Sequence, residues 1–272
     1  IKYCTCWKSS KNFKNNPLEM KNNYIEYDDL HWSKIKSPEK ALKKYLDNYK
    51  DIYNVTNINK IIDVIPKAKK LKILDFGGGI GFLSAELYKL GHDVTLCDQS
   101  EEALSTASYF FKNKEYKIKI LKAEKGYIND DNKYDIIVLK DLIEHVIEDK
   151  EMFSDLFDLL NKEGKIIVTT QNKLSLNYAI EGTYKKIKNP SRVWLGWDRT
   201  HIRFYTPKSL RSLAKGLQLK KTEFRSSYIF PYKILNLIFK SKKIKFYKLD
   251  LKLMKLKIFR KYGWNIMMIC HK

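Results

Sequence analysis

Residues 74–84 read "LDFGGGIGFLS", with four glycines following directly on the apolar run "LKIL". Glycine costs backbone entropy, so a cluster marks a tight turn or a place where a ligand approaches the main chain. Three loop types compete for this stretch. A phosphate loop requires G-x-x-x-x-G-K-[ST], and no Lys follows Gly81. A dinucleotide loop requires G-x-G-x-x-G. Counted from Gly77 and Gly79 the third position is Phe82, and from Gly79 and Gly81 it is Ser84. The pattern that fits is D-x-G-x-G-x-G, made by Asp75, Gly77, Gly79 and Gly81 with Gly78 between them. A carboxylate at that strand end disfavours a pyrophosphate and suits a cationic or amine-bearing ligand.

The flanking sequence alternates between two periods. "LKILDF" reads as a strand, "GFLSAELYKLG" as an amphipathic helix closed by Gly91, and "HDVTLCD" as a strand. "SEEALSTASYFFKN" reads as a helix with Ser100 as N-cap, followed by the strands "YKIKILKA" and "YDIIVLKD". The helix "KEMFSDLFDLLNKEG" and the strand "GKIIVTTQN" complete the alternation. Such a pattern predicts an α/β fold, a parallel sheet with helices on both faces. Residues 1–66 read as an N-terminal cap with helices, and 67–272 as the main domain. Residues 172–206 break the rhythm with aromatics, Arg and His, and read as an insertion over the carboxyl ends of the strands, where ligands bind in such sheets. "TPKSLRSLAKGL" is a helix with Thr206 as N-cap, and "LQLKKTEFRSS" and "GWNIMMICHK" are strands.

Asp98 ends the second strand, where a carboxylate can take both hydroxyls of a ribose, with Gln99 beside it. The third strand leads into Ala123 and Glu124, beside an adenine-sized site.

Lys and Arg number 53 against 31 Asp and Glu, a formal charge of +22. That balance fits an anionic partner such as RNA, a membrane surface or a phosphorylated substrate. Composition alone also explains it, because Lys, Asn, Ile and Tyr are all abundant. The six Arg residues are more selective: all lie after residue 190. Arg suits bidentate recognition of carboxylate and phosphate, so Arg192, Arg199 and Arg203 mark an anion site, while Trp194 and Trp197 are expected to stack on a substrate ring or to insert into a lipid interface. Residues 220–272 hold 15 basic and two acidic residues among many apolar ones. This is either a helix packed on the sheet or a segment lying on an anionic bilayer. Cys4 and Cys6 form an isolated C-x-C without a second ligand pair, and Cys97 and Cys270 fall in predicted strands. No metal, disulfide framework or membrane span is expected, and the chain reads as cytoplasmic, with peripheral contact at the inner membrane face as the variant reading.

At this point the sequence resembles a family. "ILDFGGGIGFLS", "VTLCDQS", "YDIIVLKDLIEHV", "EGKIIVTTQN" and "HIRFYTPKSL" occur in the order found in class I S-adenosylmethionine-dependent methyltransferases. The branch it is most similar to contains ubiquinone-biosynthesis O-methyltransferases and bacterial sugar and natural-product methyltransferases. The resemblance implies a Rossmann-like seven-stranded sheet with the last strand antiparallel. It implies that Asp75 and the backbone of Gly77, Gly78, Gly79 and Gly81 hold the methionine part of S-adenosylmethionine. Asp98 would take its ribose and Gln99, Ala123 and Glu124 would line its adenine. Lys140 stands where family backbone contacts the cofactor's amine. S-adenosylhomocysteine would be the product.

Methyl transfer to an oxygen needs an aligned nucleophile and a proton acceptor. His145 in "DLIEHV" is the first candidate and His201 in "WDRTHIRFYT" the second. Asp141 and Glu144 suggest a metal with His145, but on one helix only some of the three share a face. The expected acceptor is a small molecule: a sugar, a glycolipid headgroup or a quinone-like ring, with an anionic group favoured. RNA methylation is the competing activity on charge alone, without an N-P-P-Y motif after the fourth strand. A non-catalytic S-adenosylmethionine-binding protein is the reading from another class.

Overall fold

Strand β1 (Lys72–Phe76) alternates between two buried surfaces. Leu74 and Phe76 join one apolar cluster and Ile73 joins the other. A strand covered on both faces belongs in the middle of a sheet with helices on each side. The structure, a computed structural model, describes residues 37–123, 128, 130–190, 194, 196, 198, 200–230 and 249–272, with the side chain of Asn48 excepted. The Cys4–Cys6 pair, Glu124, Arg192, Trp197 and Arg199, and most of the Lys-rich stretch before residue 249, lie outside the described residues.

The other strands are β2 (Asp93–Asp98), β3 (Lys119–Lys122), β4 (Tyr134–Lys140), β5 (Leu160–Gln171), β6 (Lys221–Ser227) and β7 (Asn265–His271). Among the described residues they form one seven-stranded sheet in the order β3-β2-β1-β4-β5-β7-β6. β1 to β5 pair in parallel, and β7 is antiparallel to both β5 and β6. This is the Rossmann-like sheet that the sequence pattern and the resemblance imply.

The helices are α1 (Pro38–Tyr49), α2 (Ile52–Ile62), α3 (Phe82–Lys89), α4 (Glu101–Asn113), α5 (Asp149–Asp158), α6 (Thr183–Lys188) and α7 (Pro207–Ser212). Ile58 and Ile61 of α2, Leu83 and Leu87 of α3, and Phe110 and Phe111 of α4 cover one face of the sheet. Met152, Phe153, Leu156 and Phe157 of α5 and Leu210 of α7 cover the other. The starts follow the sequence signals. The Ser100 hydroxyl accepts the Ala103 N–H at 3.4 Å, and Thr206 and Ser209 form a reciprocal capping box.

Two elements differ from the sequence reading. The helix expected over 150–164 stops at Asp158, because Tyr134 N–H bonds the Leu159 carbonyl and pairs with Leu160, drawing that stretch into the sheet. The insertion at 172–206 is partly helical: a π-helical turn at Tyr178–Gly182 runs into α6. Tyr178 packs its ring against Trp194 and Phe204, so tertiary contact rather than periodicity holds that turn.

The glycine loop closes on the α3 N-terminus through Gly81, which adopts φ +78. A Cβ there would lie 2.4 Å from Phe111 Cζ. Gly91 has a similar φ of +88 but open space around it. Gly91→Ala therefore costs left-handed strain alone, about 1 kcal/mol, whereas Gly81→Ala adds a core clash and costs about 2–4 kcal/mol in urea unfolding. Equal losses for the two would contradict this packing of α3 on α4.

Candidate functional site

The chain runs from β1 through β2 to β3 on one side, and returns to place β4 and β5 on the other. The crevice at such a reversal lies between the loops that follow β1 and β4. One loop is Gly77–Gly81. The other is the turn Asp141–His145, whose 3₁₀ segment is Ile143–His145.

Asp75 is fully buried beneath the glycine loop. Its Oδ2 accepts the Ser84 hydroxyl at 2.7 Å, while Oδ1 has no hydrogen-bond partner among the described residues. A side chain at Gly78 would strike this carboxylate, with a Cβ 2.7 Å from Asp75 Oδ2. An anionic acceptor without a donor, under a loop whose backbone is bare, suits a cationic amine. Burial raises the Asp75 pKa to about 6, against the pull of Ser84 and Lys140.

Asp98 shapes the same loop from the next strand. Its Oδ2 accepts the Gly79 N–H at 2.8 Å and its Oδ1 the Ser100 N–H at 3.0 Å. A carboxylate at the end of the second strand suits a vicinal diol. Gln99 is exposed beside it. Ala123 is buried and its N–H bonds the Asp98 carbonyl at 2.8 Å, which brings the β3 end to the same edge. An amine acceptor, a diol acceptor and a bare glycine backbone along one edge fit S-adenosylmethionine.

Asp141 follows β4 in a left-handed conformation, φ +51. A non-glycine residue there is strained and needs holding. The Asp141 N–H bonds the Thr169 carbonyl at 3.0 Å. Its Oδ1 accepts from Thr169 Oγ1 at 2.9 Å and Asn265 Nδ2 at 3.0 Å, and its Oδ2 from Lys140 Nζ at 2.9 Å. Burial opposes ionisation, but Lys140 and these donors hold the Asp141 carboxyl below its ordinary pKa. Lys140, whose charge burial disfavours, is held above its ordinary value by Asp141.

His145 meets His201 edge to face, with ring centroids 4.8 Å apart. Its Nδ1 lies 3.3 Å from the Thr200 carbonyl and 3.1 Å from Thr200 Oγ1. The Thr200 hydroxyl hydrogen goes to Asp198 Oδ1 at 2.6 Å. Both oxygens facing Nδ1 are therefore acceptors, which puts the ring proton on Nδ1 and the lone pair on Nε2. Burial, reinforced by His201, lowers the His145 pKa to about 4, so the ring is neutral at physiological pH. Glu144 beside it is fully buried with neither carboxyl oxygen hydrogen-bonded among the described residues. Burial and Asp141 raise its pKa to about 8. Glu144, His145 and His201 bring ligand-capable atoms within 4.8 Å of one another. Of the three ligands the sequence suggested, Asp141 turns away to Thr169 and Asn265, and His201 stands in its place.

A strap carries His201 to this place. Ile202 N–H bonds the Glu144 carbonyl at 3.0 Å. The Tyr205 hydroxyl donates to Asp149 Oδ2 at 2.6 Å, and its oxygen lies 3.2 Å from the Ile143 carbonyl. Arg203 pairs with the same Asp149 carboxylate and donates to the Ile147 carbonyl at 3.0 Å. These two contacts fasten the strap to the start of α5 and leave the Arg203 Nε without a partner among the described residues. Trp194, expected to stack on a substrate ring, packs between Tyr178 and Trp264 and against Phe204. Sequence reasoning missed Thr200 and Asp198, although D-x-T with a 2.8 Å bond from Thr200 N–H to Asp198 is a local turn signal. It also missed Asp149 and Tyr205, which are 56 residues apart and carry no local signal.

The family described as "Methyltransferase domain" matches residues 42–223. The chain belongs to this family, in its class I, S-adenosylmethionine-dependent form. This methyltransferase is 30% identical over 164 residues to the ubiquinone biosynthesis O-methyltransferase of Pelagibacter ubique, and 28% identical over 123 residues to that of Rickettsia felis. The matches cover 57% and 45% of this chain, and 65% and 50% of those relatives' lengths. Among solved structures, magnesium protoporphyrin IX methyltransferase from Synechocystis with bound S-adenosylhomocysteine aligns over 92% of this chain and 99% of its own, with TM-score 0.58 and 15% identity. The PH0226 protein of Pyrococcus horikoshii aligns over 82% of this chain and 93% of its own, with TM-score 0.54 and 14% identity. At those identities the structural likeness concerns the fold.

The buried Asp75 gives the methyltransferase a pH signature. The folded state holds a proton that the unfolded chain releases between about pH 4 and about pH 6. Stability therefore falls as pH rises through that window, by about 3 kcal/mol. In urea unfolding, the difference between wild type and Asp75→Asn should open across this window and stay constant above it. A difference that does not vary with pH would contradict the buried environment of Asp75.

Proposed function

We propose that the chain transfers a methyl group from S-adenosylmethionine to an oxygen of a small-molecule acceptor, a quinone-like ring, sugar or glycolipid headgroup. The observation that carries this reading is the neutral His145, with its proton on the Nδ1 side and its lone pair on Nε2. A hydroxyl acceptor must lose a proton as it attacks, whereas a thioether or a neutral tertiary amine has none to lose. When bound, S-adenosylmethionine supplies an electrophilic methyl on its sulfonium. Asp75 and the loop Gly77–Gly81 would hold its amino-acid part, and Asp98, Gln99 and Ala123 its nucleoside, with Glu124 adjoining in sequence.

His145 would accept the hydroxyl proton at Nε2, and Thr200 and Asp198 keep its ring in the receptive tautomer. His201 stands against the same ring and would share the contact with the acceptor. The strap 200–205 covers this side of the site and limits water. The relatives named ubiquinone biosynthesis O-methyltransferase support an aromatic hydroxyl as acceptor. Arg192, Trp197 and Arg199 remain proposed acceptor contacts from the sequence alone.

Peripheral contact with an anionic membrane has its own support. The insertion exposes Leu174, Leu176, Ile180, Tyr184 and, at 75%, Ile187 on a segment that also carries Lys173, Lys185, Lys186 and Lys188. Such a basic, apolar surface suits a bilayer interface. No helix among the described residues is long and apolar enough to cross a membrane.

Transfer of labelled methyl from S-adenosylmethionine to dihydroxybenzoate, a sugar panel and RNA tests the acceptor class. The phenol should be labelled, and His145→Ala should lower its turnover about a hundredfold or more with S-adenosylhomocysteine affinity unchanged. Label found on RNA alone, or full turnover in His145→Ala, would overturn the reading.

A further inference from the structure

Away from the glycine loop, three cations meet at a cleft of about 250 Å³. Its lining is Leu174 from the loop after β5, Pro207, Lys208 and Arg211 from α7, and Lys261 and Tyr262 from the 3₁₀ turn before β7. The cleft is a built feature rather than a chance gap between side chains. Asn172, fully buried, donates from Nδ2 to the carbonyls of Lys261 at 2.8 Å and Gly263 at 2.9 Å. The Asn172 Oδ1 accepts the Leu174 N–H at 3.0 Å. One side chain thus clamps the Leu174 wall to the Lys261 wall, and the capping box fixes the third wall, α7.

The cations are placed as well as present. Phe224 of β6 is buried, and its ring carries the Arg211 guanidinium at 5.3 Å and the Lys261 ammonium at 5.8 Å. Both distances are within cation–π reach. A single aromatic ring anchored in the sheet therefore contacts two of the cations that line the cleft. Lys208 lies one turn from Arg211 on the exposed side of α7. No acid lines the cleft, and none of the three cations forms an ion pair among the described residues. Like charges gathered without a counter-ion repel, and a multiply charged anion between them turns that repulsion into attraction.

The walls define the rest of the ligand. Leu174 and Tyr262 are half exposed apolar surfaces, and Pro207 adds to the apolar lining. Bare inorganic phosphate would leave these walls unused. From the clamp, the paired cations over Phe224 and the apolar walls, we infer that this cleft binds the phosphate of an organic phosphoester, with Arg211, Lys208 and Lys261 on the phosphate and Leu174 and Tyr262 on the apolar body. Arg211 supplies the planar fork for two phosphate oxygens, and the lysines act as point charges. The site uses none of the residues assigned to S-adenosylmethionine, so it stands or falls apart from the methyl-transfer reading.

Calorimetric titration of the full chain with phenyl phosphate, at fixed ionic strength, tests the assignment. A parallel arm measures co-sedimentation with phosphatidylcholine vesicles that contain phosphatidic acid, which distinguishes a soluble phosphoester from a lipid one. The expected result is saturable binding of phenyl phosphate, tighter than that of inorganic phosphate and about tenfold weaker in Arg211→Gln. The triple variant Lys208→Gln, Arg211→Gln, Lys261→Gln should abolish it. Tyr262→Ala, which keeps every charge, should erase the preference for phenyl over inorganic phosphate. The substituted side chains are all exposed, and melting temperature and S-adenosylhomocysteine affinity should not change. Vesicle binding lost in the triple variant, with phenyl phosphate silent, assigns the phosphoester to a lipid. Binding of neither probe, binding unaffected by the triple variant, or binding only of an RNA oligonucleotide overturns the inference.

Discussion

The chain leaves β1 toward β2 and arrives at β4 on β1's other side, and the site exists because of that reversal. Two loops open apart at the carboxyl edge instead of packing together, and the space between them is the crevice. Several buried polar groups shape those two loops. Asp98 reaches from β2 to fix Gly79, Asp75 supports the loop from below, and Thr169 and Asn265 hold Asp141 in a conformation it would not adopt alone. The costs are visible in the same places: a buried carboxylate oxygen without a donor, and a left-handed aspartate. Both costs lie at the two loops that border the crevice, where a binding site can offset them.

The strap adds chemistry to the crevice. Asp149 is its fastening point, because one carboxylate takes both the Tyr205 hydroxyl and the Arg203 guanidinium. That contact lets Thr200 and His201 approach His145 and decides which ring nitrogen is basic. The cation cleft borders the far end of the same strap, since Lys173 N–H bonds the Tyr205 carbonyl and α7 begins two residues after Tyr205. On a surface as basic as this one, buried groups such as Asn172 and Phe224 are what give particular charges a fixed place.

Most of the sheet was legible in the sequence, because the burial of both faces of β1, β2 and β4 writes itself as short β-branched runs punctuated by glycine and caps. The cofactor edge was legible for a related reason. Asp75, the glycines and Asp98 lie at strand ends, so their spacing along the chain reports their spacing in the fold. The strap was not legible. Its contacts, Arg203 and Tyr205 to Asp149 and Thr200 to His145, span more than fifty residues with no local period. Arg203 illustrates the limit: an Arg in a site-proximal segment reads as an anion receptor, and only the position of Asp149 shows that it also fastens the strap. The early end of α5 was hidden likewise, since Leu159 and Leu160 suit a helix until β4 is beside them.

The convergence of Asp75, the glycine loop and Asp98 on one ligand is tested most directly by calorimetric titration of S-adenosylhomocysteine into the wild-type chain and Asp98→Asn, with melting temperatures measured in parallel. The wild type should bind with one-to-one stoichiometry, and Asp98→Asn should bind about a hundredfold more weakly, the loss of two charge-assisted hydrogen bonds, at a similar melting temperature. Absence of binding to the wild type, or equal affinity in the two proteins, would contradict it.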